Sequence, residues 1–146
     1  MIGNSVWIQF FFIIFLIIFH NLQASTFAFD EDRLIRIKFK VHIINGLSSN
    51  EYPLIIHCYS NDDDLGEHTL WMNNEFKFRF GNHVWRLTHF WCVMRCGLNK
   101  KTIDVFRSGV ETKTCRRTGN CFWSAREEGF YFSNDNQSWV KRYDWF

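Results

Sequence analysis

The sequence holds a single proline, Pro53, and eight glycines among 146 residues, and it has no acidic or basic residue before Asp30. With so few chain breakers and no Pro-, Gly- or Ser-rich run, it contains no interdomain linker, internal repeat or low-complexity segment. The length admits one domain of ordinary size and no second one. Charge of one sign is also lacking: 17 Lys+Arg stand against 15 Asp+Glu. A net charge of +2 is too small to argue for nucleic acid, so no nucleic-acid partner is expected. No Gly-x-Ser-x-Gly, His-Glu-x-x-His or phosphate-binding glycine loop occurs, which removes the enzyme classes those patterns mark. What abounds is aromatic and apolar surface, with 17 Phe, 7 Trp and a 47% hydrophobic share. That composition excludes a disordered chain.

The uncharged N-terminal stretch is a different object from the rest. Phe10 to Phe19 is an unbroken apolar run, short of the roughly 20 residues that a helix needs to span a bilayer. Its length and position fit the core of an export signal. Small residues follow at Ala24, Ser25, Thr26 and Ala28, so residues 1–24 are expected to be a signal peptide cut between 24 and 28. Residues 25–146 then form a single exported domain with no stable membrane insertion. An uncleaved signal-anchor is the rival reading.

The exported part alternates with a period of two, the pattern of half-buried strands. Ile35, Ile37, Phe39, Val41 and Ile43 share one face, and Arg36, Lys38, Lys40 and His42 the other, which makes this strand's outer face basic. Leu54, Ile56 and Cys58 alternate likewise, as do Phe76, Phe78 and Phe80, and Phe90, Cys92 and Met94. Shorter candidates are 68–71, 103–106, 121–126, 130–132 and 139–143, separated by turn signals such as Asn45-Gly46, Asn73-Asn74 and Glu127-Glu128-Gly129. No segment of the domain shows sustained helical periodicity. The expected fold is all-β, a small antiparallel β-sandwich of two facing sheets and about eight strands.

Export also decides how the five cysteines are read, because thiols in an oxidising compartment usually pair. Cys58 and Cys92 lie on apolar strand faces and could bridge in the core. Cys115 and Cys121 flank a short polar loop that a bond could close, which leaves Cys96 odd. Sequence alone leaves the pairing open. Cys92, Cys96, Cys115 and Cys121 also have loose zinc spacing, a reading that export disfavours. No cofactor or metal is expected. Asn136-Gln137-Ser138 is a sequon, making Asn136 a candidate N-glycosylation site.

The acidic run Asp62-Asp63-Asp64-Leu65-Gly66-Glu67 is the most unusual local feature. Adjacent carboxylates repel and call for solvent, so the segment is expected to be an exposed loop. It fails as an EF-hand, having Glu67 where glycine is needed and Asn73 where glutamate is needed. A looser Ca²⁺ loop, a solvated turn and a partner-binding loop remain, and loops on rigid scaffolds commonly carry recognition. Asp62, Asp63, Asp64 and Glu67 are therefore the candidate partner-binding residues. The alternative is a secreted hydrolase or nuclease using His57 or His89, which would need two imidazoles at one phosphate. A membrane-disrupting protein is disfavoured, since no basic amphipathic helix is present.

An ordered set of segments resembles the plant self-incompatibility S-protein homologue family. Val41–Asn45 resembles the opening strand, and His57-Cys58-Tyr59-Ser60-Asn61-Asp62-Asp63-Asp64-Leu65-Gly66 the signature that leads from His-Cys into Asp-Asp-Leu-Gly. Phe76–Phe80 and Phe90-Trp91-Cys92 resemble the aromatic strand and the later cysteine. Cys115, Cys121-Phe122-Trp123-Ser124 and Gly129-Phe130-Tyr131 resemble the closing pattern. The resemblance implies a secreted β-sandwich with two disulfides, to which Cys58, Cys92, Cys115 and Cys121 contribute, acting as a ligand rather than a catalyst. It also implies a cell-surface receptor as partner, since the best-understood members are stigma proteins that pollen recognises through one.

Overall fold

Strand β1 (Arg36–Asn45) follows its sequence pattern closely: Phe39, Val41 and Ile43 are buried, while Lys38, Lys40, His42 and Ile44 alternate with them on the outer face. A computed structural model describes residues 3–23, 36–83 and 87–146. The chain divides into two units, residues 1–34 and 35–146. The first carries helix α1 (Gly3–Gln23), built on the uniformly apolar run. Among the described residues no helix is long and apolar enough to cross a membrane. The expected cleavage window at 24–28 lies outside the described residues.

In the second unit β1 is the second strand of a five-stranded sheet, ordered β4 (Glu75–His83), β1, β7 (Asn120–Arg126), β8 (Gly129–Ser133), β9 (Val140–Tyr143). The second sheet has the order β3 (Asp64–Leu70), β2 (Leu54–Ser60), β5 (His89–Cys96), β6 (Asn99–Arg107). The register sets Phe39, Val41 and Ile43 opposite Phe80, Phe78 and Phe76, so two apolar faces become one. In the other sheet Ile56 faces Met94, and Cys58 faces Cys92. The inner faces then close on each other through rings. Phe39 lies 5.0 Å from Phe106, Phe80 4.7 Å from Phe90, and Phe78 5.0 Å from Phe90, centroid to centroid. Burial of each large apolar side chain in this layer stabilises the fold by about 1.5–3 kcal/mol. The architecture is the β-sandwich that the alternation predicts.

Four local features differ from the sequence expectation. The pair β1–β7 is parallel, with Val41 opposite Cys121 and Ile43 opposite Trp123. A parallel neighbour needs a long crossover, and here the crossover is most of the domain, from β2 to the short helix before β7. That helix, α2 (Glu111–Cys115), is too short to show periodicity in sequence; the Arg107 N–H donates to the Glu111 carboxylate at 2.7 Å across its start. Strand β6 is longer than expected, running over Asn99–Arg107. The acidic segment expected as a loop through Glu67 is a loop only as far as Asp63, because Asp64 opens β3. Asp and Gly are poor strand formers, but the register against β2, Tyr59 with Asp64 and His57 with Glu67, gives them cross-strand partners.

Two covalent ties and two polar ones fix the frame. Cys58–Cys92 joins directly opposed residues of β2 and β5 with Cα atoms 4.0 Å apart, and Cys115–Cys121 closes the loop between α2 and β7 at 5.6 Å. Both bonds are among the pairings the sequence leaves open, Cys58 with Cys92 on apolar strand faces and Cys115 with Cys121 across a short polar loop. Buried Asn45 donates to the Leu70 carbonyl at 2.8 Å, and its own carbonyl accepts from the Asn73 N–H at 2.8 Å, tying the end of β1 to the β3–β4 turn. Trp145 donates to the Arg126 carbonyl at 2.8 Å and packs on Phe130, which holds the C-terminal segment down. Gly129 is required where that segment passes, with φ +141° and the Tyr143 carbonyl oxygen 2.1 Å from where a Cβ would sit.

Candidate functional site

Strand β2 ends at Ser60, and Ser60 shapes the acidic turn that follows. Its N–H donates to the Asp63 carbonyl at 2.8 Å, and its hydroxyl accepts from the Asp62 and Asp63 N–H groups at 3.2 and 2.9 Å. These bonds hold the backbone in a tight turn and leave the carboxylates of Asp62 and Asp63 projecting into solvent. Among the described residues neither carboxylate has a cationic partner.

The turn forms one wall of a cleft of about 330 Å³. Phe80 and Gly81 at the end of β4, and Leu87 through Phe90 at the start of β5, form the other side. Phe80 and Phe90 belong to the ring cluster of the core, so the cleft is bordered by aromatic side chains on one side and by the acidic turn on the other. Carboxylates beside aromatic surface suit a long cationic side chain, whose methylene stem and charged head want different surroundings.

Asp64 and Glu67, expected to act with Asp62 and Asp63, are differently placed. The Asp64 carboxylate accepts from the Gly66 N–H at 2.8 Å and bonds His57 Nε2 at 2.7 Å. The backbone bond first, and His57 second, hold its carboxyl below the usual aspartate value. Glu67 is paired with Arg95 of β5. The sequence presents one acidic run; among the described residues the fold divides it into two carboxylates on a turn, with only the Ser60 hydroxyl donating to Asp63 at 3.5 Å, and two on a strand paired with His57 and Arg95.

His57 and His89 both lie on the outer face of the four-stranded sheet, each bonded to a carboxylate at 2.7 Å, His57 to Asp64 and His89 to Asp104. Rings continue between them: Tyr59 is 4.2 Å from His57 and 6.3 Å from Trp91, which is 5.1 Å from His89. The register sets Ser60 opposite Phe90, so His89 stands about four residues along from His57, roughly 13 Å at strand spacing. The two imidazoles therefore do not converge on one atom. His42 is buried between Glu75 and Asn120 and stacked on Phe122 at 4.3 Å, a structural placement.

Sequence reasoning missed the wall opposite the acidic turn. Phe80 is legible only as part of the alternating aromatic strand, and Leu87 and Thr88 carry no motif; only the closure of the sandwich brings them and Gly81 beside residues 60–63. The free thiol is Cys96, its S–H directed to the Tyr52 carbonyl at 3.7 Å. Burial first, and the Glu127 charge second, push its pKa up, which lowers its thiolate fraction and reactivity. Cys92 and Cys115 are committed to disulfides, so the thiol set at zinc spacing is dismantled. Alkylation of the folded, unreduced protein is expected to add one label, and alkylation after reduction and unfolding five, read by intact mass; two or more labels before reduction would contradict the pairing. Asn136 is exposed at the tip of the β8–β9 turn with φ 59°, where Asp135 accepts from the Gln137 and Ser138 N–H groups at 2.9 and 2.8 Å.

Comparison with known proteins agrees with this geometry. The family model for plant self-incompatibility protein S1 matches residues 40–145. S-protein homolog 1 of Arabidopsis thaliana is 36% identical over 97 residues, which cover 66% of this chain and 64% of that protein, so the chain matches somewhat under two thirds of that relative's length. S-protein homolog 17 of the same plant is 30% identical over 133 residues, 86% of this chain and 97% of the relative. A solved SPH (Self-Incompatibility Protein Homologue) structure superposes with a TM-score of 0.58 at 19% identity, covering 75% of this chain and 95% of that one. The SPH proteins are described as a widespread family of small, highly stable, secreted proteins from plants. With the matched residues running from β1 to the C-terminal tryptophan, the chain belongs to the plant self-incompatibility protein S1 family, and with it to the secreted S-protein homologues.

Proposed function

We propose that this S-protein homologue is a non-catalytic recognition protein, exported behind a leader comprising residues 1–24, that engages a cell-surface receptor through the Asp62–Asp63 turn and the cleft beneath it. The observation that carries the reading is the pair of exposed carboxylates, Asp62 and Asp63, that line a cleft bordered by Phe80 and Phe90 and have no cationic partner among the described residues. Elsewhere on the same strand pair the acidic side chains are engaged, Asp64 by His57 and Glu67 by Arg95. Carboxylates left free and preorganised give a cationic partner group a site without reorganisation. Glycosylation of Asn136, at the tip of the β8–β9 turn, belongs to the same extracellular reading.

The test is binding of the folded protein to plant cell-surface fractions. Replacing Asp62 and Asp63 together by Ala should leave folding unchanged, since both side chains are exposed, and should weaken binding roughly tenfold or more, the range for removing complementary charge from a site. Full binding by that variant would refute the cleft assignment. The hydrolase reading is tested in parallel by incubating the protein with RNA: no cleavage is expected, and cleavage abolished by His57→Ala or His89→Ala would replace this proposal.

A further inference from the structure

The outer face of the five-stranded sheet has a charge arrangement that the recognition cleft does not use. Along β1 and β4 the register sets Lys40 opposite Arg79, His42 opposite Lys77 and Lys38 opposite Gly81. Among the described residues of these two strands one carboxylate shares this face, Glu75, and it is engaged by His42 and lies 3.8 Å from Lys77. Among the described residues Lys38, Lys40 and Arg79 have no carboxylate within ion-pair distance. The turn into β7 extends the patch: the Lys40 N–H donates to the Gly119 carbonyl at 2.8 Å, and exposed Arg116 and Arg117 precede that glycine.

Like charges directly opposite on a sheet are destabilising, so the Lys40–Arg79 pair works against the fold. Protection of an edge strand by charge explains Lys77 and Arg79, because β4 is an edge. It does not explain Lys38 and Lys40, because β1 lies inside the sheet between β4 and β7. The cations form a two-strand array, spaced about 6.6 Å along a strand and about 4.8 Å across strands. A small anion is bound where donors converge in a concavity, and here they are spread. The geometry suits a polymer with repeating negative groups. None of the patch residues is a large exposed apolar side chain of the kind that inserts into a bilayer.

We propose that the outer face of β1 and β4 binds an acidic polysaccharide, a linear sugar polymer whose carboxylates lie across Lys38, Lys40, Lys77 and Arg79. The inference goes beyond the receptor reading and shares no residue with it. It gives a secreted recognition protein a second, sequence-tolerant hold on a carboxylated matrix.

The folded protein is passed over immobilised polygalacturonate, over its methyl-esterified form, and mixed with phosphatidylserine vesicles. The wild type should be retained by polygalacturonate alone, and less so as salt rises toward 0.15 M, where the screening length shortens to about 8 Å. Lys40→Glu/Arg79→Glu should weaken retention roughly tenfold or more, while Lys100→Glu/Lys113→Glu, the same change in net charge elsewhere, should bind as wild type. Lys40→Glu alone faces Arg79 as an opposite charge, so it should melt no lower than wild type yet bind more weakly. Wild-type failure on polygalacturonate, equal loss in the control pair, undiminished binding by Lys40→Glu/Arg79→Glu, or capture by vesicles in place of the polymer would each overturn the proposal.

Discussion

Replacing Cys58 and Cys92 together by Ala is expected to lower the stability of the domain by about 4 kcal/mol, and the Cys115/Cys121 double replacement by only about 2 kcal/mol. The difference follows from loop length. The first bond spans a sequence separation of 34 and the second a separation of 6, and a longer closed loop removes more entropy from the unfolded chain. Packing does not separate the two, because all four cysteines are wholly buried and methyl groups leave a gap that sulfur filled at either bond. Equilibrium unfolding in guanidinium measures both losses, and the slope should rise for the first variant because its unfolded chain expands further. An equal or larger loss for the Cys115/Cys121 variant would mean that the unfolded state retains structure across β2–β5.

Trp123→Ala is expected to cost about 3–5 kcal/mol, the range for removing a buried aromatic residue. Trp123 is 1% exposed, packs on Phe132 and Tyr143, and donates its indole N–H to the Val105 carbonyl at 2.9 Å. Since Trp123 is on β7 and Val105 on β6, that bond joins the two sheets, and its loss leaves a buried carbonyl without its partner. Trp123→Phe keeps most of the apolar contact and removes the donor, so it should cost about 1–3 kcal/mol. Thermal and chemical melts of the two variants separate packing from hydrogen bonding. Equal melting by both would show that the indole N–H contributes nothing.

These two effects also mark what is legible in the sequence. Cys58 and Cys92 lie on strands whose burial alternates, and alternation reads burial without knowledge of the partner strand, whereas Trp123, Ser124 and Ala125 of β7 are buried in succession. Period-two patterning identifies β1, β2, β4 and β5 for the same reason. It does not reveal that β1 and β7 run parallel, because pairing direction is set by the crossover and not by either strand's residues. It identifies only the end of β3, within the candidate 68–71: Asp64, Gly66 and Glu67 join the strand through His57 and Arg95, which are remote in sequence. Helix α2, a single short element, offers no period to detect.

The candidate site divides along the same line. The acidic run is visible in sequence as four candidate residues, Asp62, Asp63, Asp64 and Glu67, with no means of telling free carboxylates from paired ones. Tertiary contacts make that distinction, and they also supply the apolar wall of Phe80, Leu87 and Phe90. The basic face of β1 is legible as alternating lysines, but its reinforcement by Lys77 and Arg79 depends on register.

The most direct test of recognition by the cleft is competition for the cell-surface site. Labelled wild-type protein bound to the plant surface fraction is displaced with unlabelled variants, and the displacing concentration is compared. Asp62→Asn/Asp63→Asn should need roughly tenfold more protein than wild type, while Asp64→Asn/Glu67→Gln, which alters carboxylates already engaged within the fold, should compete within about twofold of wild type, the effect of an engaged surface pair being small. Equal competition by Asp62→Asn/Asp63→Asn, or loss confined to Asp64→Asn/Glu67→Gln, would contradict the account.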